Sequence, residues 1–404
     1  MVLPKKSIIA WALLSLTWCL PGLGQYEFTS LSPLPEPGRD DACIFAFEDY
    51  LYVTGGGGDG FFLQGDLWRY HLLSDTWDEL GGFPGAPRQY SYVGVIEDTA
   101  YLIGGLTKAG VPLNELWSYQ IVSDSWSQLD SLPAAGRYKG VGFTYENRLY
   151  YGTGRGDDSS FSDFWVYDPL SATWTELPSL PSGPRNEACL FVIGDKAYIA
   201  GGLTLDSPYL SEVWALDIKN MSWERTTDLP HPLAWAEAAC NQNGSCAIWD
   251  GKYSTESMAG EVLIVNTITI NGETDLMFQT LNYSGPSLRN SSVCALGGWI
   301  FRFGGKDSLN NKSSALTKLG FQKSSNTLIY PNPSYDRVHI QAPEPWSSLK
   351  IADLQSRNLH EVVFGRENRL QVLDIGHLLN ETGCYMLLID GREAKRLIYI
   401  QDGP

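Results

Sequence analysis

The chain has 404 residues, which is too long for one ordinary domain and fits two. It contains 41 glycine, 14 tryptophan and 21 tyrosine residues, and only 19% of its residues are charged, which favours an all-β protein with many tight turns. The 29 basic and 46 acidic residues give a net charge of −17, which would repel phosphate backbones, so we expect no nucleic-acid partner.

The first 24 residues are typical of a signal peptide. Lys5 and Lys6 precede an apolar core over residues 8–20, and small residues occupy positions 22 and 24. An N-terminal membrane anchor is the alternative, but the apolar core is short and Pro21 ends it. We therefore predict cleavage after residue 24 and a mature chain with no transmembrane segment.

The next part of the chain repeats in a fixed register. One set of tryptophans recurs at intervals of 48 or 49 residues, and a second tryptophan lies nine residues before each. The second position of a glycine pair lies twelve residues before that, with Thr153 as the one departure. Short apolar segments separated by two-residue turns, such as Glu97-Asp98, indicate four strands in each unit. The two tryptophan sets are Trp77, Trp126, Trp174 and Trp223, and Trp68, Trp117, Trp165 and Trp214.

The Gly-Gly, Trp-x-Tyr and Trp positions resemble the kelch repeat over roughly residues 26–320. Two degenerate units, with Gly251 and Gly305 in the glycine slot, bring the number of units to six. The resemblance implies a six-bladed β-propeller, which we assign to residues 25–322. The last unit has no outer strand of its own, and we expect residues 26–31 to supply it and so close the ring.

A different pattern follows a polar linker at residues 323–327. The segment Pro331-Asn332-Pro333-Ser334 and the strand containing Gly383 and Tyr385 resemble the C-terminal sorting domain of the Bacteroidota type IX secretion system. The resemblance implies that residues 328–404 form a small immunoglobulin-like β-sandwich that the type IX secretion machinery recognises. The protein would then be secreted or attached to the outer surface of a Gram-negative cell. An accessory domain with no export role is the alternative.

Catalytic motifs are missing from the sequence. It has no Walker loop, H-E-x-x-H, C-x-x-C or G-x-S-x-G motif, so we expect no catalytic residue, metal site or cofactor. Copper oxidases of the galactose oxidase type share the kelch propeller but need several histidine and tyrosine ligands at the axis. Only His71 and His231 lie in the propeller, which is too few for such a site.

The cysteines are predicted to be free. A two-residue turn at Asn243-Gly244 would pair Cys246 with Asn241, so that the side chain of Cys246 faces away from that of Cys240. We therefore expect no disulfide between Cys240 and Cys246, and we interpret the propeller cysteines as small apolar core residues.

Two groups of residues are candidates for ligand binding. The first repeats: Arg88, Arg137 and Arg185, with Arg39, precede the innermost strands and could hold a carboxylate, a sulfate or an acidic peptide, or could instead bond a neighbouring loop in every blade. The second does not repeat and follows the glycine pairs, where aromatic and charged groups could converge on a ligand. It consists of Phe61, Phe62, Arg155, Asp157, Tyr209, Lys252 and Tyr253.

Three functions remain open from the sequence. A propeller with an export tail and no catalytic motif indicates a binding module for a protein or a glycan. The alternative is a carbohydrate isomerase resembling the kelch-type sialic acid mutarotases, in which an arginine would hold the sugar carboxylate and Glu187 would serve as acid and base. A purely structural role at the cell surface is the third.

Overall fold

A computed structural model describes residues 26–204, 209–254, 257–258, 260–270 and 273–321, together with the strands of the C-terminal region. The predicted signal peptide at residues 1–24 and the predicted linker at 323–327 lie outside the described residues. Within the described part of the chain, no helix has the length and apolar character needed to cross a membrane.

Six four-stranded antiparallel sheets form the blades of a β-propeller. Each innermost strand contacts the innermost strands of both neighbouring blades, and that of blade 6 contacts that of blade 1, so the ring is closed. From the innermost strand outward, blade 1 consists of Cys43–Phe47, Tyr50–Thr54, Leu67–His71 and Thr76–Glu79; blade 2 of Tyr92–Ile96, Thr99–Ile103, Leu116–Gln120 and Ser125–Leu129; and blade 3 of Val141–Tyr145, Arg148–Gly152, Phe164–Asp168 and Thr173–Leu177.

The second half of the ring follows the same order. Blade 4 consists of Cys189–Ile193, Lys196–Ala200, Val213–Asp217 and Ser222–Arg225; blade 5 of Glu237–Cys240, Cys246–Trp249, Glu261–Ile270 and Glu273–Asn282; and blade 6 of Ser292–Leu296, Trp299–Phe303, Leu316–Phe321 and Tyr26–Leu31. The all-β six-bladed fold is thus the predicted one. Two short elements accompany the blades, a 3₁₀ turn at Asp59–Phe61 and a ribbon of Arg88–Gln89 with Leu106–Thr107.

The ring closes through its own N-terminal strand, as predicted. Tyr26–Leu31 is the outermost strand of blade 6 and pairs with Leu316–Phe321. Tyr26–Leu31 is the first strand of the propeller in the chain, and Leu316–Phe321 is the last. Phe28 packs against Trp249 and Tyr283 of blade 5, with ring centroids 5.6 and 4.8 Å away. The first and last parts of the propeller sequence therefore share one sheet, which covers an edge that would otherwise be open.

The repeated tryptophans join adjacent blades. The outer-strand indole N–H groups of Trp77, Trp174 and Trp223 each donate to a carbonyl just after the outer strand of the preceding blade, at 2.9, 3.1 and 2.8 Å. The glycine pair recurs because the backbone at these two positions favours glycine. Gly55 and Gly56 have φ of 69° and 90°, and a Cβ atom on either would approach a neighbouring backbone carbonyl oxygen to within 3 Å. These repeated residues therefore serve the architecture of the ring.

The structure contradicts the prediction for one cysteine pair, because Cys240 and Cys246 form a disulfide. They lie directly opposite each other on the innermost hairpin of blade 5. The predicted two-residue turn is wrong, because the side-chain oxygen of Asn241 accepts from the backbone N–H groups of Asn243 and Ser245 and widens the loop. This shifts the register by one residue and brings both side chains to the same face. Among the described propeller residues, Cys43, Cys189 and Cys294 are free thiols, the first two buried and the third half-buried, in agreement with the prediction for them.

The described C-terminal strands form one five-stranded antiparallel sheet. Four strands lie in the order Leu328–Tyr330, Arg337–Ala352, Gly383–Ile389 and Arg392–Tyr399, and Asn358–Asp374 also pairs with the long second strand. The β-rich tail thus forms a unit separate from the blades. Its immunoglobulin-like sandwich arrangement stays a prediction.

Candidate functional site at the propeller axis

The repeated arginines are buried within the blades. The side chains of Arg88, Arg137 and Arg185 are no more than 2% exposed. Each guanidinium donates to a carbonyl at or beside the glycine pair of its own blade and to a carboxylate on the loop that follows it. The carboxylate partners are Asp66 for Arg39, Glu115 for Arg88, Asp163 for Arg137 and Glu212 for Arg185.

The same carboxylates also accept from the first tryptophan of each unit. The indole N–H groups of Trp68, Trp117, Trp165 and Trp214 donate to them at 2.7 to 3.2 Å. An arginine, a carboxylate and a tryptophan thus form one hydrogen-bonded group in each regular blade. This geometry favours the structural alternative for the arginines, since their donors are engaged inside the protein. Sequence reasoning missed the carboxylate, although it stands two residues before each of these tryptophans.

A ring of six residues surrounds the axis where the innermost strands begin. All six have positive φ, between 55° and 63°. Each backbone N–H donates to the carbonyl of the equivalent residue in the preceding blade, and the cycle closes between blades 6 and 1 at 2.9 to 3.4 Å. The ring consists of Asp41, Tyr90, Lys139, Glu187, Trp235 and Asn290.

The ring has a repeated backbone but side chains that differ in every blade. Lys139 forms an ion pair with Glu187, and the Asn290 side-chain amide donates to Asp41. The Lys139 ammonium also lies 4.4 Å from the ring centroid of Tyr90. A position that is fixed by the fold and variable in chemistry can set ligand specificity without affecting the architecture.

Residues that follow the glycine pairs lie beside this ring. Arg155, Lys252 and Lys306 each bridge to the segment that precedes an innermost strand. The Lys252 ammonium is 5.7 Å from the Trp235 ring centroid, and the Tyr209 ring is also 5.7 Å from it. We call this surface the axial mouth; it comprises the six ring residues together with Arg155, Tyr209, Lys252, Arg289 and Lys306.

The electrostatics show that cations converge at the axial mouth. Burial lowers the pKa of Lys139 to about 8, with Lys306, Arg155 and Arg289 acting in the same direction against the carboxylate of Asp41. Burial and the neighbouring Asp40 raise the pKa of Asp41 to about 7. Five cations thus come from blades 3, 5 and 6 in a protein whose net charge is −17.

Arg155 differs from the other cations of the axial mouth. Its side chain is exposed, and it has no ion pair among the described residues. Lys306, by contrast, is ion-paired with Asp40 and lies 3.8 Å from Asp41. Arg155 therefore offers a planar, forked set of donors to solvent.

The structure brings together only part of the predicted nonrepeating group. Arg155, Tyr209 and Lys252 belong to the axial mouth. Phe62 is 65% exposed and lies under Lys108, and Asp157 is exposed, but neither has a contact with the mouth among the described residues.

The remaining predicted residues lie elsewhere. Phe61 ends the 3₁₀ turn Asp59–Phe61. Tyr253 packs 4.2 Å from His231 and against the core between blades 4 and 5. Sequence reasoning missed Tyr90, Lys139 and Trp235, although the first two stand two residues after a repeated arginine.

Comparison with known proteins agrees with this architecture. The family model of the KLHDC2/KLHL20/DRC7 Kelch-repeats domain matches residues 26–202, and that of the secretion system C-terminal sorting domain matches residues 328–400. No curated protein matches the chain. A solved structure titled "Structure of YjhT" matches with 16% identity and a TM-score of 0.57, covering 74% of this chain and 96% of that one, which is a likeness of fold.

The sorting domain also determines where the protein goes. Its match at residues 328–400 indicates handling by the type IX secretion machinery and delivery to the cell surface or outside the cell. The chain is therefore a kelch-repeat six-bladed β-propeller with a C-terminal sorting domain for type IX secretion.

Proposed function

We propose that this secreted propeller is a binding module that takes a protein or a glycan at the axial mouth, through an anionic group of the ligand. The observation that carries the proposal is the convergence of Lys139, Arg155, Lys252, Arg289 and Lys306 around one end of the axis. Arginine suits this role because its fork matches the two oxygens of a carboxylate or sulfate.

Aromatic side chains support the same proposal. Tyr90 and Trp235 belong to the axial ring, and Tyr209 packs beside Trp235. Aromatic rings provide flat apolar area beside polar groups, which suits both sugar rings and the side chains of a protein partner. The opposite face of the propeller carries mostly short turns, and cations there are paired with neighbouring acids, as Arg148 is with Asp168 and Lys219 is with Asp195.

Carbohydrate isomerisation is a second candidate, favoured by one contact. Glu187 lies in the axial ring and is ion-paired with Lys139, whose lowered pKa of about 8 suits proton exchange near neutral pH. Arg155 acts electrostatically on Lys139, so a carboxylate held by Arg155 would lie in the same axial mouth as this pair. NMR can test this function by measuring the rate at which the anomers of a reducing sugar acid exchange. The wild-type protein should accelerate the exchange, and the Glu187→Gln variant should not.

Binding is tested with the full mature chain on a glycan array and in pull-downs with proteins from its surroundings. Arg155→Ala should weaken capture of the strongest ligand by about tenfold, since charge-assisted hydrogen bonds are lost. Arg148→Ala is the matched control, because Arg148 is a half-exposed arginine at a turn on the opposite face. Equal effects of the two substitutions would contradict the proposal.

A further inference from the structure

The innermost strands hold a single charged side chain. Among the residues of Cys43–Phe47, Tyr92–Ile96, Val141–Tyr145, Cys189–Ile193, Glu237–Cys240 and Ser292–Leu296, only Glu237 is acidic or basic. It stands two residues after Trp235 of the axial ring. At about 3.3 Å per residue, Glu237 lies roughly 7 Å deeper along the strand than the ring.

Glu237 lines the channel along the axis. Its side chain is solvent-exposed although it belongs to an innermost strand. Its charge contributes to the raised pKa values of Cys43, Tyr92 and Cys189, which lie on the innermost strands of blades 1, 2 and 4. A group that acts on three other blades must lie near the axis.

Small side chains follow this carboxyl group on the innermost strand of blade 5. Ala238 and Ala239 follow Glu237, and Ala239 occupies the position that holds Phe45, Phe143 and Phe191 in three other blades. Those three phenylalanines are buried in the cores between blades, so blade 5 has a small side chain where three other blades have a large apolar one. The surrounding protein raises the pKa of Glu237 to about 8, through burial first and the charge of Asp41 second.

The carboxyl group of Glu237 has no hydrogen-bond or ion-pair partner among the described residues. In the axial ring, by contrast, Glu187 is paired with Lys139 and Asp41 accepts from Asn290. Carboxyl groups whose pKa the surrounding protein shifts this far concentrate at functional sites. The carboxyl group of Glu237 is therefore available for a hydrogen bond with a ligand.

We propose that Glu237 is a specificity-determining residue that accepts a hydrogen bond from a hydroxyl group of a ligand whose carboxylate is held at the axial mouth. The ligand class is a polyhydroxylated carboxylic acid, such as a sugar acid. A hydroxyl donor fits better than an ammonium, because the cations that depress the pKa of Lys139 also repel an incoming positive charge. This inference rests on the proposed function.

The test compares ligands that share a carboxylate but differ in hydroxyl groups. Binding of galacturonate, glucuronate and mannuronate, and of cyclohexanecarboxylate, to the full mature chain is measured by isothermal titration calorimetry. The wild-type protein should bind at least one hexuronate about tenfold more tightly than cyclohexanecarboxylate. This is the effect expected of one hydrogen bond to a charged or polar acceptor. Glu237→Leu should remove this preference and leave cyclohexanecarboxylate binding within about twofold.

Two further variants separate recognition from folding. Glu237→Gln keeps a carbonyl acceptor, so it should retain more of the hexuronate preference than Glu237→Leu does. Glu176→Leu is the matched control, because Glu176 is exposed on the outer strand Thr173–Leu177 and should change neither affinity. Thermal melting of each variant checks that the propeller remains folded.

The outcomes distinguish this inference from the proposed function. If all four acids bind equally, Arg155→Ala weakens all of them and Glu237→Leu weakens none, the axial mouth binds anions and the role of Glu237 is refuted. If no acid binds, or if Arg155→Ala has no effect, the proposed anion site itself fails and the role of Glu237 fails with it.

Discussion

The substitution Arg137→Ala is expected to destabilise the propeller rather than weaken ligand binding. Arg137 donates to Asp163 at 2.6 and 2.8 Å and to the carbonyl of Thr153 at 3.2 Å, and its guanidinium lies 4.3 Å from the Phe161 ring centroid. Removing one partner of a buried ion pair costs roughly 3–5 kcal/mol. Asp163 is 22% exposed, so water can partly solvate its freed carboxylate, and we expect about 3 kcal/mol.

For a propeller of this size, about 3 kcal/mol corresponds to a fall in Tm of roughly 6 °C. Differential scanning calorimetry measures it, with Arg155→Ala as the control, since that exposed arginine should change Tm by no more than about 1 °C. Combining Arg137→Ala with Asp163→Ala should cost less than the sum of the two, because they remove one interaction. An unchanged Tm together with lost binding would refute the structural role and make Arg137 a ligand residue.

Four further outcomes are expected. Deleting residues 25–31 should expose the sheet edge at Leu316–Phe321, which reduced solubility and a lower Tm would report; melting like the intact protein would contradict closure by this strand. Non-reducing mass spectrometry should find Cys240 linked to Cys246, and two free thiols there would overturn the register of that hairpin. Removing residues 328–404 should leave the product in the periplasm of its native host, whereas undiminished secretion would show that the tail is not needed for export. Burial raises the pKa of Glu237 to about 8 from an ordinary value of 4.5, so its contribution to stability should fall as pH rises from 5 to 8. Glu237→Gln should therefore lose less Tm over that range, and equal losses of Tm in the two proteins would refute the placement of Glu237.

Much of the architecture could be predicted because the residues that form each blade are close in the chain and recur in several blades. The outer tryptophans of blades 1, 3 and 4 donate to the preceding blade, and the glycine pairs approach neighbouring backbone closely, so the same residue types recur at the same spacing. The missing outer strand of blade 6 pointed to Tyr26–Leu31 because a closed ring needs four strands in every blade. The prediction that Cys240 and Cys246 are free was wrong for a local reason. Asn241 accepts two hydrogen bonds that reshape this one loop, and no other blade has, among the described residues, an equivalent from which the register could be predicted.

The sequence by itself therefore determined the number of blades, the way the ring closes and the route of export, since each depends on a spacing or a terminal motif. Only the tertiary structure decided which nonrepeating side chains meet. Lys139, Glu237 and Lys306 are far apart in the chain and lie in blades 3, 5 and 6, and they approach one axis only because the ring closes. The tertiary structure also showed that the repeated arginines are engaged inside the blades. Their carboxylate partners come from loops 26 or 27 residues away, and a constant spacing does not by itself show which side chains meet.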